Sequence, residues 1–355
     1  MRPRPISLSL EVEPASRFDV TDMSRHVRSV VGDGLGLYSA AMYTSLHTTA
    51  GYLDPSVAVR LGHDPDRVVP FMRAFAEMFP AGAGYRHDQM ELRDELSDDE
   101  RAVEPRNADA HLAFIGAGLQ TCVTYPNRAD TPVFFMDLDG EYEGRRRRRR
   151  TTVIAYSQET LVDTVDWDVP VSRHAIDSIN LADPALGLDD RIDELVRRHG
   201  VDFGRIDLRL QGDEQSAAVT VNEYETLLMR YDLAEVLQDP LRFMAHRGRS
   251  ALRDPRAVPT KTLDYAKYDV VRVMNRLMEK FGLDDTFLER IVTRVMAVPA
   301  RRRLRFKRSL AMPVVVSPAG DTGLVRGRYQ SPILIQWEAT PRRSRRLTIA
   351  LSRFE

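Results

Sequence analysis

The stretch LYSAAMYTSLHTTAG, residues 37–51, decides how the rest of the chain is read. Its small and apolar side chains fill both faces, as in a strand buried in the middle of a sheet. We place that strand over residues 35–44, and it delivers His47, Thr48 and Thr49 to its end. Working back, Ile6, Leu8, Leu10 and Val12 alternate with polar residues, the period of a half-buried strand. Between the two lies a helix with Val20, Met23, Val27 and Val30 on one face. Asp19 or Thr21 is expected to cap it, and Gly32 and Gly34 to stop it. Working forward, Val68, Phe71, Phe75 and Met78 mark a helix over residues 67–79. An acidic, loop-like segment runs over 82–106, a further helix starts near Asn107, and strands follow at 121–125, 132–138 and 151–156.

The second half repeats this order. An extended segment at 166–181 leads to a helix at 189–199 with Ile192, Leu195 and Val196 inward and Gly200 as its stop. Ile206, Leu208 and Leu210 then alternate as a strand, continued at 217–221. Both halves close on an arginine-rich strand: RRRRRRTTVIAY at 145–156 and RRSRRLTIAL at 342–351. An internal duplication is the simplest account. The expectation is an α/β (α+β) protein of two tandem domains, residues 1–159 and 160–355, built of strands with helices. A helical insertion around 241–305 breaks the symmetry, and we read it as a cap or an oligomer contact.

Composition removes several function classes. The 355 residues carry a formal net charge of -1, so nothing global attracts a polyanion. No run nears the roughly 18 apolar residues of a membrane span, and the N-terminal MRPRPISLSLEVE lacks a signal peptide's apolar core. A cytoplasmic protein is expected. The single cysteine, Cys122, excludes an intrachain disulfide and a thiolate cage; in LQTCVTY it reads as a small buried hydrophobe. Any metal must be held by His, Asp or Glu.

Three histidines of the first half stand out: His47 after the buried strand, His87 in Tyr85-Arg86-His87-Asp88, and His111 one turn into a helix opened by Asn107. Three imidazoles from separate elements are what an open catalytic zinc site uses, with Asp88 and Asp109 available to orient the rings. Each alone also reads as an ordinary surface or core histidine.

The ordered set His47-Thr48-Thr49-Ala50, Tyr85-x-His87-Asp88 and Asn107-x-x-Ala110-His111 resembles the motifs of the secondary thiamine-phosphate synthase (YjbQ) family, over residues 6–156. That family continues into an Asn-Glu pair and a Gly-x-Trp-Gln motif, both missing from the first half. They reappear in the second: Asn222-Glu223 within QSAAVTVNEYETLLMRYDLAEVL, with Asp232 downstream, and Gly327-Arg328-Tyr329-Gln330. There Asp213 or Glu214 stands at the histidine position, and His246 is the remnant of the helix histidine. Two expectations follow. A composite site would join His47, His87 and His111 as ligands of zinc or magnesium to Glu223, Asn222, Asp88 and Gln330 as the catalytic set. Alternatively the second half is a degenerate copy, and Asn222-Glu223 merely opens a helix.

The arginine run 145–150 divides in the same way. Guanidinium groups pair bidentately with phosphate, so Arg145 and Arg147 are candidates for the phosphate of a small substrate. Otherwise the run is a solvated strand edge. Basic residues without interleaved exposed aromatics argue against nucleic acid. The resemblance implies two tandem sandwich domains of mostly antiparallel strands, a homo-oligomer, and transfer of a pyrimidine from its pyrophosphate to a thiazole phosphate. The alternatives are metal-dependent hydrolysis of a phosphorylated or heterocyclic small molecule, and a non-catalytic metal-binding assembly protein.

Overall fold

The computed structural model describes residues 3–128, 130–238, 304–316 and 322–355. Five consecutive buried residues, Ala41–Ser45, lie in β3 (Ala40–Ser45), a central strand of the first half. It pairs antiparallel with β5 (Cys122–Pro126) on one side and β9 (Arg149–Tyr156) on the other, and β1 (Ile6–Val12) closes the sheet beyond β9. A second sheet runs β2 (Asp19–Asp22), β6 (Phe134–Asp137), β4 (Ala50–Tyr52). A hairpin of β7 (Glu141–Tyr142) and β8 (Arg145–Arg146) stands apart from both.

The second half has the same plan. Its main sheet orders β10 (Glu159–Pro170), β17 (Ser344–Phe354), β12 (Phe203–Leu210), β14 (Ser309–Val316) and β15 (Thr322–Leu324). Its small sheet orders β11 (Asp177–Asn180), β16 (Ser331–Gln336) and β13 (Ala217–Asn222). First strand, last strand, third strand, next strand is the order in both large sheets, and every described pairing is antiparallel. The fold class is therefore α+β. Even single hydrogen bonds recur. Tyr52 N–H donates to Gln120 O, and Val219 N–H to Lys307 O; Leu138 N–H donates to Thr49 O, and Trp337 N–H to Ser216 O.

Residues 1–234 and 305–355 gather into one compact unit that holds both halves, and residues 235–304 into another. Of the latter, the structure describes 235–238, within the helix Leu233–Gln238, and Leu304. The insertion expected around 241–305 therefore lies almost wholly outside the described residues, as does His246.

Each half buries its own apolar side chains. In the second, Val169, Leu181, Ile192, Ile206, Leu208, Val314, Leu334, Leu347 and Ile349 form one cluster. The inward face of α6 (Leu188–His199) contributes to it as its periodicity predicts. A smaller cluster joins the large sheets, with Met42, Cys122, Ile154 and Tyr156 against Phe354. Tyr156 stacks on Phe354 with ring centroids 3.9 Å apart. Burial pushes the Cys122 thiol up to about 12, the behaviour of a packing residue rather than a nucleophile.

Three local expectations are corrected. The first helix, α1, spans Met23–Val31, and its cap is Asp22, whose carboxylate accepts from Ser24 N–H and Arg25 N–H. Asp19 and Thr21 belong to β2 because their backbone pairs with β6. The acidic segment carries a helix, α4 (Asp98–Val103), opened by a capping box of Ser97 and Glu100. Asn222-Glu223 opens no helix: Asn222 ends β13, and Glu225 accepts from Leu227 N–H and Leu228 N–H to cap the segment that follows.

Candidate active site

His111 is carried by α5 (Ala108–Ala117), a helix buried on every side. Its Nδ1 lies 2.7 Å from Asn222 Oδ1, at the end of β13. The Asn222 amide has one orientation, because its Nδ2 donates to Thr48 O at 2.8 Å while Oδ1 accepts from Glu223 N–H. Nδ1 of His111 must therefore carry the hydrogen. Burial, with the His87 ring beside it, holds His111 well below the ordinary histidine range, so Nε2 keeps a lone pair. That lone pair meets Glu223 Oε2 at 3.6 Å, too long for a hydrogen bond. Burial also pushes the Glu223 carboxyl up. Two acceptors thus face each other across a gap with nothing between them in the described protein.

The His87 ring lies 5.3 Å from that of His111, centroid to centroid, and is fully buried. Its Nδ1 donates to Asp88 Oδ1 at 3.1 Å, an oxygen that also accepts Ala108 N–H and so ties the loop to the start of α5. Its Nε2 is approached at 3.4 Å by Arg93 Nη1, a group that can only donate. Both contacts assign the same tautomer, with Nε2 as the lone-pair nitrogen. The loop itself is gripped from the second half: Asp232 accepts Arg86 N–H at 2.8 Å and His87 N–H at 2.9 Å. Asp232 closes a π-helical turn, Leu228–Asp232, a distortion that native helices favour at functional sites. Replacing Asp232 by Ala is expected to strand the buried His87 amide and the part-buried Arg86 amide and cost about 2 kcal/mol. Native-state hydrogen exchange would show it as faster exchange at His87; unchanged exchange there would refute the clamp.

His47 is placed differently. Its Nε2 accepts the Arg150 backbone N–H at 2.8 Å. Burial and the guanidinium groups of Arg149, Arg147 and Arg150 hold its pKa down to about 3. Glu214 does the same work in the second half, accepting Arg346 N–H at 3.1 Å, so of the two acidic candidates it is Glu214 that occupies the histidine position. Gln330 fastens the His47 loop: its Nε2 donates to Ser45 O and His47 O, and its Oε1 accepts Gly327 N–H. With its amide committed to backbone, Gln330 positions the loop and has no group free for chemistry. Asp109, expected beside an imidazole, pairs instead with Arg17, whose Nη2 reaches both carboxylate oxygens at 2.8–2.9 Å.

The expected three-histidine cage is not assembled. Among the described residues no group of three or more His, Cys, Asp or Glu side chains stands ready to hold a metal. What is assembled is an imidazole–carboxylate pair, His111 and Glu223, with His87 beside it, whose Nε2 lone pair could join only by releasing Arg93 Nη1. Two donors each about 2.0–2.1 Å from a tetrahedral zinc ion stand roughly 3.3 Å apart, close to the observed gap. The donor chemistry fits a divalent cation. Asn222 and Asp88 hold the outer nitrogens of the two rings as such ligands require. His47 could join only by releasing the Arg150 amide.

The arginine run is solvated at Arg145, Arg146, Arg148 and Arg150, with Arg145–Arg146 in the two-stranded hairpin, as an exposed edge requires, but it is not so throughout. Arg149 sits inside β9, between β1 and β3, and is 2% exposed. It pairs with Asp137 through Nε–Oδ2 at 2.6 Å and Nη2–Oδ1 at 2.8 Å. Arg147 is half-buried and paired with Asp139, and burial beside Arg149 pulls it down to about 10. Arg145 lies exposed on the β7–β8 hairpin. Sequence reasoning missed Arg93 altogether. It is 2% exposed and links His87 Nε2, Glu95, Glu104 and, at 4.0 Å, Glu223. A lone arginine in an acidic stretch, RDELSDDE, was its one visible signal.

No family model matches the sequence, and neither does any curated protein. Solved structures do resemble the chain in part. A YbjQ-like protein of unknown function from Sulfolobus solfataricus P2 is 17% identical over 55% of this chain and 99% of its own, with a TM-score of 0.29. A hypothetical protein from Aeropyrum pernix K1 is also 17% identical, over 54% of this chain and 98% of its own, at a TM-score of 0.28. An uncharacterised conserved protein of the yjbq family from Clostridium acetobutylicum is 16% identical over 41% of this chain and 97% of its own, again at 0.28.

Proposed function

We propose that the His87–His111–Glu223 cluster takes a divalent cation, zinc or magnesium, and that the protein acts on a phosphorylated small molecule. The observation that carries this is the His111–Glu223 contact: two electron-rich atoms, Nε2 and Oε2, face one another at 3.6 Å with no hydrogen bond between them. A cation held there would supply Lewis acidity toward a phosphoryl oxygen and offset charge on a departing pyrophosphate.

The chain's own residues supply the rest. Arg147 offers a guanidinium to the anionic group, at the cost of loosening Asp139. With Oε2 turned to the cation, Glu223 takes or returns a proton at Oε1, its carboxyl raised by burial. The buried rings of His87 and His111 exclude water from the reacting centre. The motif resemblance supplies the reaction: thiamine-phosphate synthase-like transfer of a pyrimidine from its pyrophosphate to a thiazole phosphate. The repeated strand order and paired hydrogen bonds support reading the chain as a duplicated domain, with the site drawing on both copies.

The test is metal content of the purified full chain, followed by pyrophosphate release from the pyrimidine pyrophosphate with the thiazole phosphate present. One bound metal per chain and metal-dependent release are expected. A chain that binds no zinc, magnesium or manganese would sink the cation reading, and a metal-loaded chain that releases nothing would sink the transfer.

A further inference from the structure

A buried guanidinium stands among the atoms that would hold the cation. Arg93 is 2% exposed and can only donate. Its Nη1 lies 3.4 Å from the His87 Nε2 lone pair, and its Nη2 lies 4.0 Å from Glu223 Oε1. Its other partners are carboxylates nearer solvent. Nε meets Glu95 Oε1 at 2.6 Å and Nη1 reaches Glu104 Oε1 at 3.4 Å, on side chains 51% and 26% exposed.

The residue is held unevenly. Its carbonyl accepts from Arg101 Nε at 3.1 Å and Nη2 at 3.0 Å, which ties the main chain to α4. The Glu95 bond is short, whereas 3.4 Å to His87 is long for a hydrogen bond and 4.0 Å to Glu223 is beyond one. A metal ion cannot join His87 while this guanidinium stays. Zinc would stand about 2.0–2.1 Å from Nε2, on the lone pair that Nη1 covers. Repulsion between like charges adds to the conflict. Both are relieved if the side chain turns onto Glu95 and Glu104, which keep its charge paired.

We propose that Arg93 is a resident cation that a divalent ion must displace. Its guanidinium balances Glu223 and covers the His87 lone pair until the ion arrives. The ion then takes His87 as third ligand beside His111 and Glu223, and Arg93 turns onto Glu95 and Glu104. This rests on the cation reading above and adds the step that admits the metal. A monovalent ion gains little by the exchange, because it returns only the charge that Arg93 withdraws. A divalent ion brings one charge more.

Zinc titration of the full chain by calorimetry compares the unaltered protein with Arg93→Met, which keeps a long side chain without its charge. Arg93→Met is expected to bind zinc about tenfold or more tightly, since a dication and a guanidinium a few ångströms apart repel by that much even at the dielectric of water. His87→Ala should cost more affinity in the Arg93→Met background than in the unaltered chain, where displacing Arg93 offsets part of the gain. Zinc affinity equal or lower in a folded Arg93→Met chain overturns the inference and leaves the cation reading in place. No zinc bound by the unaltered chain removes the cation reading, and this inference with it. Should Arg93→Met fail to fold, nitrogen NMR of the histidine rings in the unaltered chain decides the matter. Added zinc should shift Nε2 of His87 together with that of His111, and a shift at His111 alone would mean that Arg93 keeps its place.

Discussion

Replacement of His111 by Ala is expected to abolish stoichiometric metal binding, and Glu223→Gln to weaken it by more than the roughly 10–100-fold that loss of an outer partner costs. The expectation follows from the tautomer. Asn222 Oδ1 accepts the Nδ1 hydrogen and leaves Nε2 as the lone pair facing Glu223. Glu223→Gln keeps the shape but swaps one carboxylate oxygen for an amide donor, which removes the charge a dication needs. Asn222→Ala touches neither donor atom, yet frees the ring and Thr48 O together, so it should fall within that 10–100-fold range. Zinc titration by calorimetry reads all three. Equal affinity in the His111→Ala and parent chains would end the metal reading. A loss confined to His47→Ala would move the site to the other histidine.

The largest stability effect is expected at Arg149. Its guanidinium is enclosed and committed to Asp137, to Asp139 O and to Thr49. Arg149→Leu leaves Asp137, itself 2% exposed, as a buried carboxylate with no countercharge, a loss of about 3–5 kcal/mol. Removing both charges, with Arg149→Leu and Asp137→Leu together, should restore much of it, since a buried ion pair often gains little over a well-packed apolar pair. Urea unfolding of the four chains measures the coupling. A single-variant cost below about 1 kcal/mol would show that water reaches the pair. Arg345 fills the equivalent place in the second half, donating to Gln336 Oε1 and to the buried Glu214 Oε2, and its loss should be milder because Arg346 Nε, 3.7 Å from Glu214 Oε1, still faces that carboxylate.

Much of the fold was legible because burial writes a period into sequence. β1, α1, α6 and β12 each announced themselves by spacing of two or 3.6 residues, and the likeness of the halves followed from their shared order. Boundaries failed where side-chain hydrogen bonds settle them. Asp22 rather than Asp19 or Thr21 caps α1, since β2 holds the earlier residues in a sheet. Charge patterning misled at Arg145–Arg150: six identical residues look alike in sequence, yet Arg149 is buried on Asp137 while Arg145 and Arg148 face solvent. Nothing local to the run tells these positions apart.

His87, His111, Asn222 and Glu223 could be nominated from sequence because their residue types and local order carry chemistry. The sequence by itself determined most of the strands and helices, their like order in the two halves, and this short list. Only the tertiary structure decided that Asn222 holds His111, that Asp232 holds the His87 loop, that His47 is spent on the Arg150 amide, and that Arg93 enters the site. The physical reason is range. Periodicity records which face of one element is buried. The bonds that make this site join atoms 111 residues apart at His111 and Asn222, and 145 apart at His87 and Asp232, and their geometry exists only once the packed halves bring those ends together.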